Sequence, residues 1–317
     1  MTVLVLAADV DPTADAVVET LNHRDVPVFR CDTSWFPNRL ALDAEMTEAG
    51  WRGVLRTERR AVALEGLRSV WYRSPTVCAV PDGMSPAERW HATHEAKFGF
   101  GGVLWSLPVR WVNHPGRQAD MYKPTQLAVA QRCGLTVPAT LSTNQADAVR
   151  RFADRYPDGI IMKPFGFGSI LEEGGRKALN TRLLSDSDLV DLRGIETTAH
   201  QFQPFIQKTY EVRLTVVGSR MFAAAITAHS AAAKIDFRSD YDALTYQVVD
   251  VPCRVSGGVR AFMTQFGLAF GAFDFIVDPT GEWWMLECNA SGQYGWIEDK
   301  TGLQITSAIA DVLAKGL

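Results

Sequence analysis

The tightest constraint on how this chain folds is a four-residue turn, Asp278-Pro279-Thr280-Gly281, set between two apolar runs. Pro presets φ and Gly tolerates φ above zero, so the chain reverses here and the runs at 273–277 and 282–289 pair as an antiparallel hairpin. If Asp278 and Gly281 flank the turn symmetrically, Asp274 lies opposite Met285. Directly opposed residues share a face, as do residues two apart on one strand. Asp274, Met285, Glu287 and Asn289 then project to one face, and Trp284, Leu286 and Cys288 to the other.

Two carboxylates and an amide oxygen on one surface suit a Mg²⁺ ion bridging phosphates, which makes Asp274, Glu287 and Asn289 the candidate metal ligands. The competing reading is a solvated polar face on an edge hairpin. The neighbours Phe273, Phe275, Ile276, Trp283 and Trp284 are apolar, which favours the metal.

A second constellation begins at Lys163, which ends the apolar run 160–163 and is followed by Gly166, Gly168 and Ser169. A lysine beside free backbone amides is a cradle for phosphate oxygens, and glycines let that backbone approach closely. Many strand-to-loop corners carry Lys and Gly, so the feature gains weight only in company. Neither a Walker P-loop nor a Rossmann fingerprint occurs.

The third is Gln203-Pro204-Phe205-Ile206, followed by Glu211 and Arg213. An extended segment with an interior Pro is not expected as a central strand. It reads as a hinge whose free backbone groups meet an adenine edge. Glu211 and Arg213, two apart, share a face, with the acid suited to ribose hydroxyls and the guanidinium to a phosphate. A surface ion pair is the alternative. His91 and His94 have a helical spacing but no third ligand, and Ser291 lacks the leading glycine of a nucleophile elbow.

Around these sites the chain alternates strand and helix signals, giving an α/β (α+β) class. The run 3–7 reads as a buried parallel strand, with a helix over 13–23 and strands at 26–30 and 69–72. Ser85, Pro86 and Glu88 mark a capped helix start, with the helix running to about residue 105. Asn113-His114-Pro115-Gly116 is the first boundary. A helix over 122–133 stops at Gly134, and Asn144 is expected to cap the next. From residue 201 the texture turns β-rich: 201–206, 211–217 and 221–228, then a helix over 255–270 and a last helix over 303–314.

With 317 residues, 47% of them hydrophobic and 21% charged, the chain has material for two or three packed units and no disordered character. A net charge of −4 implies no general attraction to nucleic acid or to an anionic membrane. No apolar run reaches the roughly 20 residues of a membrane helix, and the N-terminus reads as a strand rather than a signal peptide. Five scattered cysteines with no C-x-x-C pair read as reduced thiols in a cytoplasmic protein. The oligomeric state is not set by the sequence, and a homo-oligomer is compatible with it.

The order of the pieces is informative. Lys123 on a helix, Lys163 before its loop, the hinge, Glu211, Arg213, Asp274 and Glu287-Cys288-Asn289 follow one another. This order resembles the ATP-grasp superfamily. More narrowly the chain looks like the ATP-grasp ribosomal peptide maturases, the graspetide synthetases related to microviridin ligases. Ser69-Val70-Trp71-Tyr72-Arg73-Ser74-Pro75, Trp111-Val112-Asn113-His114-Pro115, Asp236-Phe237-Arg238 and Gly292-Gln293-Tyr294-Gly295-Trp296 carry that narrower likeness. Ser74 and Phe237 depart from it, since the family often has Arg and Trp there.

The resemblance implies an ATP-grasp fold with a pre-ATP-grasp unit at 1–112, a central unit at 113–200 and a C-terminal ATP-grasp unit at 201–317. It implies that Lys123, Lys163, Gly166, Gly168, Ser169, Gln203, Pro204, Phe205, Ile206 and Glu211 hold ATP, with Mg²⁺ on Asp274, Glu287 and Asn289. The partner it implies is a ribosomally made precursor peptide with leader and core. Asp or Glu side chains of the core would be phosphorylated, then attacked by Thr, Ser or Lys to close ester or amide rings. Arg213 and Arg238 are the candidate catalytic residues, Arg238 for the acceptor carboxylate or acyl phosphate. Rival readings are a ligase that joins free amino acids or adds Glu to a protein tail, and a non-catalytic nucleotide-binding scaffold.

Overall fold

In the computed structural model, residues 1–166, 169–172 and 175–317 are described, with the backbone alone at 169–172, 176–178, 231, 232 and 238. The first apolar run becomes the strand Thr2–Ala7, with parallel neighbours on both sides. Its sheet runs Val28–Cys31, Thr2–Ala7, Leu67–Ser74 and Arg110–Val112 in spatial order. A strand in that position is covered on both faces, which explains why its sequence does not alternate. Val3 and Val5 pack with the helices Pro12–Asn22 and Ile305–Lys315, while Leu4 and Leu6 pack on Phe29, Leu40 and Phe100.

Ser85 and Glu88 form the reciprocal capping box expected of them, and the helix Pro86–Glu95 continues through a π-helical turn, Ala96–Gly101, to Trp105. A three-stranded antiparallel sheet, Leu40–Thr47, Gly50–Thr57 and Ala61–Ala63, has no counterpart in the sequence reading. Its charged residues interrupt the apolar alternation, and only Leu40, Leu55 and Val62 of those strands are buried.

A smaller antiparallel sheet has the order Arg182–Leu183, Ile160–Lys163, His200–Pro204, Leu141–Thr143. Here two expectations are corrected. The segment ending in Pro204 is a central strand after all, because its second neighbour pairs only with residues 200–202 and Pro204 lies beyond that neighbour's reach. Asn144 is not a cap: Gln145 takes that position, and Thr143 Oγ1 accepts the Gln145 N–H at 3.0 Å. This sheet has its own small core of Val149, Phe152, Ile160, Ile195 and Phe202.

The largest sheet is antiparallel in the order Leu244–Val248, Arg220–Ala228, Tyr210–Val217, Phe270–Val277, Trp283–Asn289. The helix Cys253–Phe266 packs on one face, stopped at Gly267 with φ 63°. The opposite face shares a core with the N-terminal sheet through the helices Pro12–Asn22 and Ile305–Lys315.

The hairpin register differs from the symmetric expectation in two places. Val277 pairs with Trp283, so the connection is one residue longer than assumed, which by itself would turn Asp274 away from Glu287. A bulge then places Leu286 as an extra residue between the pairs Phe275–Met285 and Asp274–Glu287. The two shifts cancel for Asp274, Glu287 and Asn289. They do not cancel for Met285, which is fully buried with Phe273 and Phe275, nor for Trp284, which pairs with Ile276.

Candidate nucleotide and metal site

A cavity of about 470 Å³ opens between the small sheet and the large one, within the roughly 300–1,000 Å³ of small-molecule sites. Lys163, Gly166, Gln203, Pro204, Phe205 and Ile206 line it from the small-sheet side. Glu211, Asp274, Glu287 and Asn289 line it from the large sheet, and Lys123 from the helix Lys123–Arg132. Gly168 lies outside the described residues. Ser169 opens the strand Ser169–Glu172, but its side chain is not described, and neither is that of Arg238, which follows the cavity-lining Phe237.

Lys163 sits at the end of its strand, where the sheet delivers it to the cavity. Burial pushes its ammonium down to about 8, opposed by the pull of Glu287 and Glu211 and aided by Lys123 and Lys208. An anion arriving here therefore meets a cation that is already poorly hydrated. Lys123 bridges the two walls: its Nζ is 3.0 Å from Pro164 O on one side and 3.0 Å from Glu287 Oε2 on the other.

Gln203 Nε2 donates to Thr140 Oγ1 at 2.9 Å. The Phe205 N–H, expected to be free in the hinge, donates to Gly159 O at 2.9 Å and is committed to the fold. Glu211 is buried and paired with Lys208; burial pushes its carboxyl up, and Lys208 draws it back. Lys208 escaped the sequence reading, although its place between hinge and Glu211 was a usable signal.

Arg213 is not in the cavity lining. It stands beside Asp274 in register, with Nη1 3.2 Å from Asp274 Oδ1 and the guanidinium carbon 5.9 Å from the Trp296 ring centre. Asn289 Oδ1 accepts the Ser291 N–H at 3.0 Å, which orients the amide while leaving an oxygen lone pair. Among the described residues no cluster of three or more His, Cys, Asp or Glu side chains stands at metal-binding range. The set here is instead two carboxylates and one amide, all hard oxygen donors, which fits Mg²⁺ and not zinc. Lys123, Lys163 and Lys208 share the lining with Glu211, Asp236, Asp274 and Glu287, so the site offers cations to a polyanion as well as oxygen donors to a metal.

The residues also missed by sequence reading are those behind the candidate ligands. Gln126, one helical turn after Lys123 and on the same face, lines the cavity and accepts the Cys288 N–H at 2.7 Å. Among the described residues no helix is long and apolar enough to cross a membrane.

Residues 2–118 match the MvdD pre-ATP grasp domain. Among solved structures, the chain is similar to macrocyclase MdnC of Microcystis aeruginosa, bound with precursor peptide MdnA. The identity is 28% and the TM-score 0.86, over 99% of this chain and 100% of that one. It is similar also to a RiPP-associated ATP-grasp ligase of Chryseobacterium gregarium, solved with ADP and a leader and core peptide. There the identity is 25% and the TM-score 0.90, over 99% of this chain and 96% of that one. Macrocyclase MdnB of Microcystis aeruginosa gives 28% and 0.81 over 98% of both chains. No curated protein sequence matches.

Proposed function

We propose that this chain, whose fold is that of the ATP-grasp peptide macrocyclases, is an ATP- and Mg²⁺-dependent ligase. It phosphorylates Asp or Glu side chains of a ribosomal precursor peptide and closes ester or amide rings with Thr, Ser or Lys. We read it as three units, 1–112, 113–200 and 201–317, with ATP between the second and third. The observation that carries the proposal is the convergence of Lys123, Lys163, Glu211, Asp274, Glu287 and Asn289 on one cavity.

A carboxylate is a poor electrophile because it offers no leaving group. Moving a phosphoryl group onto it needs positioning and charge neutralisation more than covalent help. Lys163 and Lys123 supply fixed positive charge at the phosphates, and Lys123 holds both walls in register while doing so. Gly166 and Ser169 would offer backbone amides to the phosphates, Gln203 to Ile206 would flank the base, and Glu211 would hold the ribose. Mg²⁺ on Asp274, Glu287 and Asn289 would neutralise phosphate oxygens. Arg213 orients Asp274 and adds charge near the transferring group. Arg238 holds the acceptor carboxylate and steadies the oxyanion formed when the hydroxyl or amine attacks.

Peptide carrying heavy oxygen on its Asp and Glu side chains tests this. Ring closure should release ADP and labelled inorganic phosphate. Label in AMP would indicate an acyl-adenylate instead, and rings formed with no label transfer would overturn the mechanism.

A further inference from the structure

The segment Glu287 to Gly292 is the end of the edge strand Trp283–Asn289 and the residues just beyond it, where backbone groups are normally left to water. Here three buried polar side chains from three distant parts of the chain take those groups up in succession. Gln126, 4% exposed, accepts the Cys288 N–H at 2.7 Å and donates to Met121 O at 2.8 Å. Asn113, 1% exposed, donates to Ala290 O at 2.7 Å and Phe270 O at 2.8 Å, and accepts the N–H of Ala269 at 2.7 Å and of Phe270 at 3.0 Å. Arg73 is also buried; its Nη1 donates to Ser291 O and its Nε lies 3.5 Å from Asp11 Oδ2.

The bonded positions 288, 290 and 291 interleave with Glu287 and Asn289, whose side chains line the cavity. Gly292 closes the same segment down: a Cβ there would stand 2.7 Å from the Ala272 Cβ and 3.2 Å from the Asn289 Cβ. A neighbouring strand would satisfy the same groups more simply. Side chains anchored in the N-terminal sheet, the bend at Asn113 just before the helix Pro115–Ala119 and the Lys123 helix instead fix the segment relative to each of those parts. Mg²⁺ demands near-octahedral geometry at about 2.0–2.1 Å, so small displacements of this backbone are felt at the metal.

We propose that Gln126, Asn113 and Arg73 are positioning residues that set Glu287 and Asn289 for Mg²⁺. The proposal rests on the metal reading given above and adds to it the groups that determine the ligand geometry. Its rival is that the three merely satisfy buried backbone groups.

The test measures ADP affinity by calorimetry with and without Mg²⁺, alongside thermal unfolding, for Gln126→Met and Arg73→Lys. Gln126→Met removes the bond to Cys288 at similar volume, and Arg73→Lys keeps the charge but loses the fork. Wild type should bind ADP more tightly with Mg²⁺. In folded Gln126→Met that gain should shrink about tenfold or more, with metal-free ADP affinity within about twofold of wild type. Arg73→Lys, the milder change and the reserve if Gln126→Met does not fold, should lose part of the gain. A full Mg²⁺ gain in either folded variant overturns the proposal, as does an equal loss with and without Mg²⁺, which would mean direct nucleotide contact. A wild type with no Mg²⁺ gain removes the metal reading itself, and this proposal with it.

Discussion

The two walls of the cavity are built to different standards. The large-sheet wall carries Asp274, Glu287 and Asn289 on strands backed by a cluster of twenty buried residues, and buried amides and a guanidinium hold its edge. The small-sheet wall carries Lys163 and the hinge on four short strands backed by five buried residues. Local opening free energy follows buried apolar contact, so the second wall is the one expected to yield first. The difference teaches a division of labour. Asp274, Glu287 and Asn289, proposed as metal ligands, need fixed geometry and sit on the better-packed wall, whereas the wall proposed to admit and cover a nucleotide is served by a smaller core.

The sharpest way to break this comparison is to weaken each core in turn. Phe202 and Phe273 are both buried, and truncating either to Ala should cost about 3–5 kcal/mol. Hydrogen exchange should show Phe202→Ala releasing amides of Ile160–Lys163 and His200–Pro204 while the five-stranded sheet stays protected. Phe273→Ala should lower protection throughout. Uniform loss in Phe202→Ala would make the two walls one cooperative unit.

Next in size is chemistry on the rigid wall. Glu287→Gln should lower turnover about 10²–10³-fold and raise the Mg²⁺ requirement, with the melting temperature little changed. Full activity at ordinary Mg²⁺ would remove Glu287 from the ligand set. On the other wall, Lys163→Ala should weaken binding of a non-hydrolysable ATP analogue about ten- to hundredfold, the loss of one charge-assisted contact worth about 1.5–3 kcal/mol. Unchanged affinity in calorimetry would make Lys163 structural.

The smallest effect is one of pH. Burial holds the Lys163 ammonium down at about 8 in the free protein. A bound phosphate raises that value, so binding takes up a proton at and above pH 8 and affinity falls as pH rises through that range. One proton limits the slope to about tenfold per pH unit, and below about pH 7 this group contributes none. Lys163→Arg should flatten the profile between pH 7.5 and 9; a persistent slope would assign it to another group.

How far the sequence reached depends on the range of the interaction. The capping box at Ser85 and Glu88 was legible because both partners lie within one helical turn. The three-stranded sheet at 40–63 was not, since its strands bury few side chains and carry charges on the rest. The common face of Asp274, Glu287 and Asn289 emerged from strand parity alone, yet it survives only because a longer turn and the Leu286 bulge offset each other. Parity is a local property of the pleat; register is decided by which residues the core accepts, and the core took Met285.

Sequence by itself determined the residue types, their order along the chain and the period that aims them. Only the tertiary structure decided that Lys123 spans Pro164 and Glu287, and that the segment 287–292 is held by Gln126 and Arg73, 162 and 218 positions away from their partners. Backbone propensity acts over a few residues. Contacts at such separations exist only once packing has closed the long loops between them, so no local pattern records them.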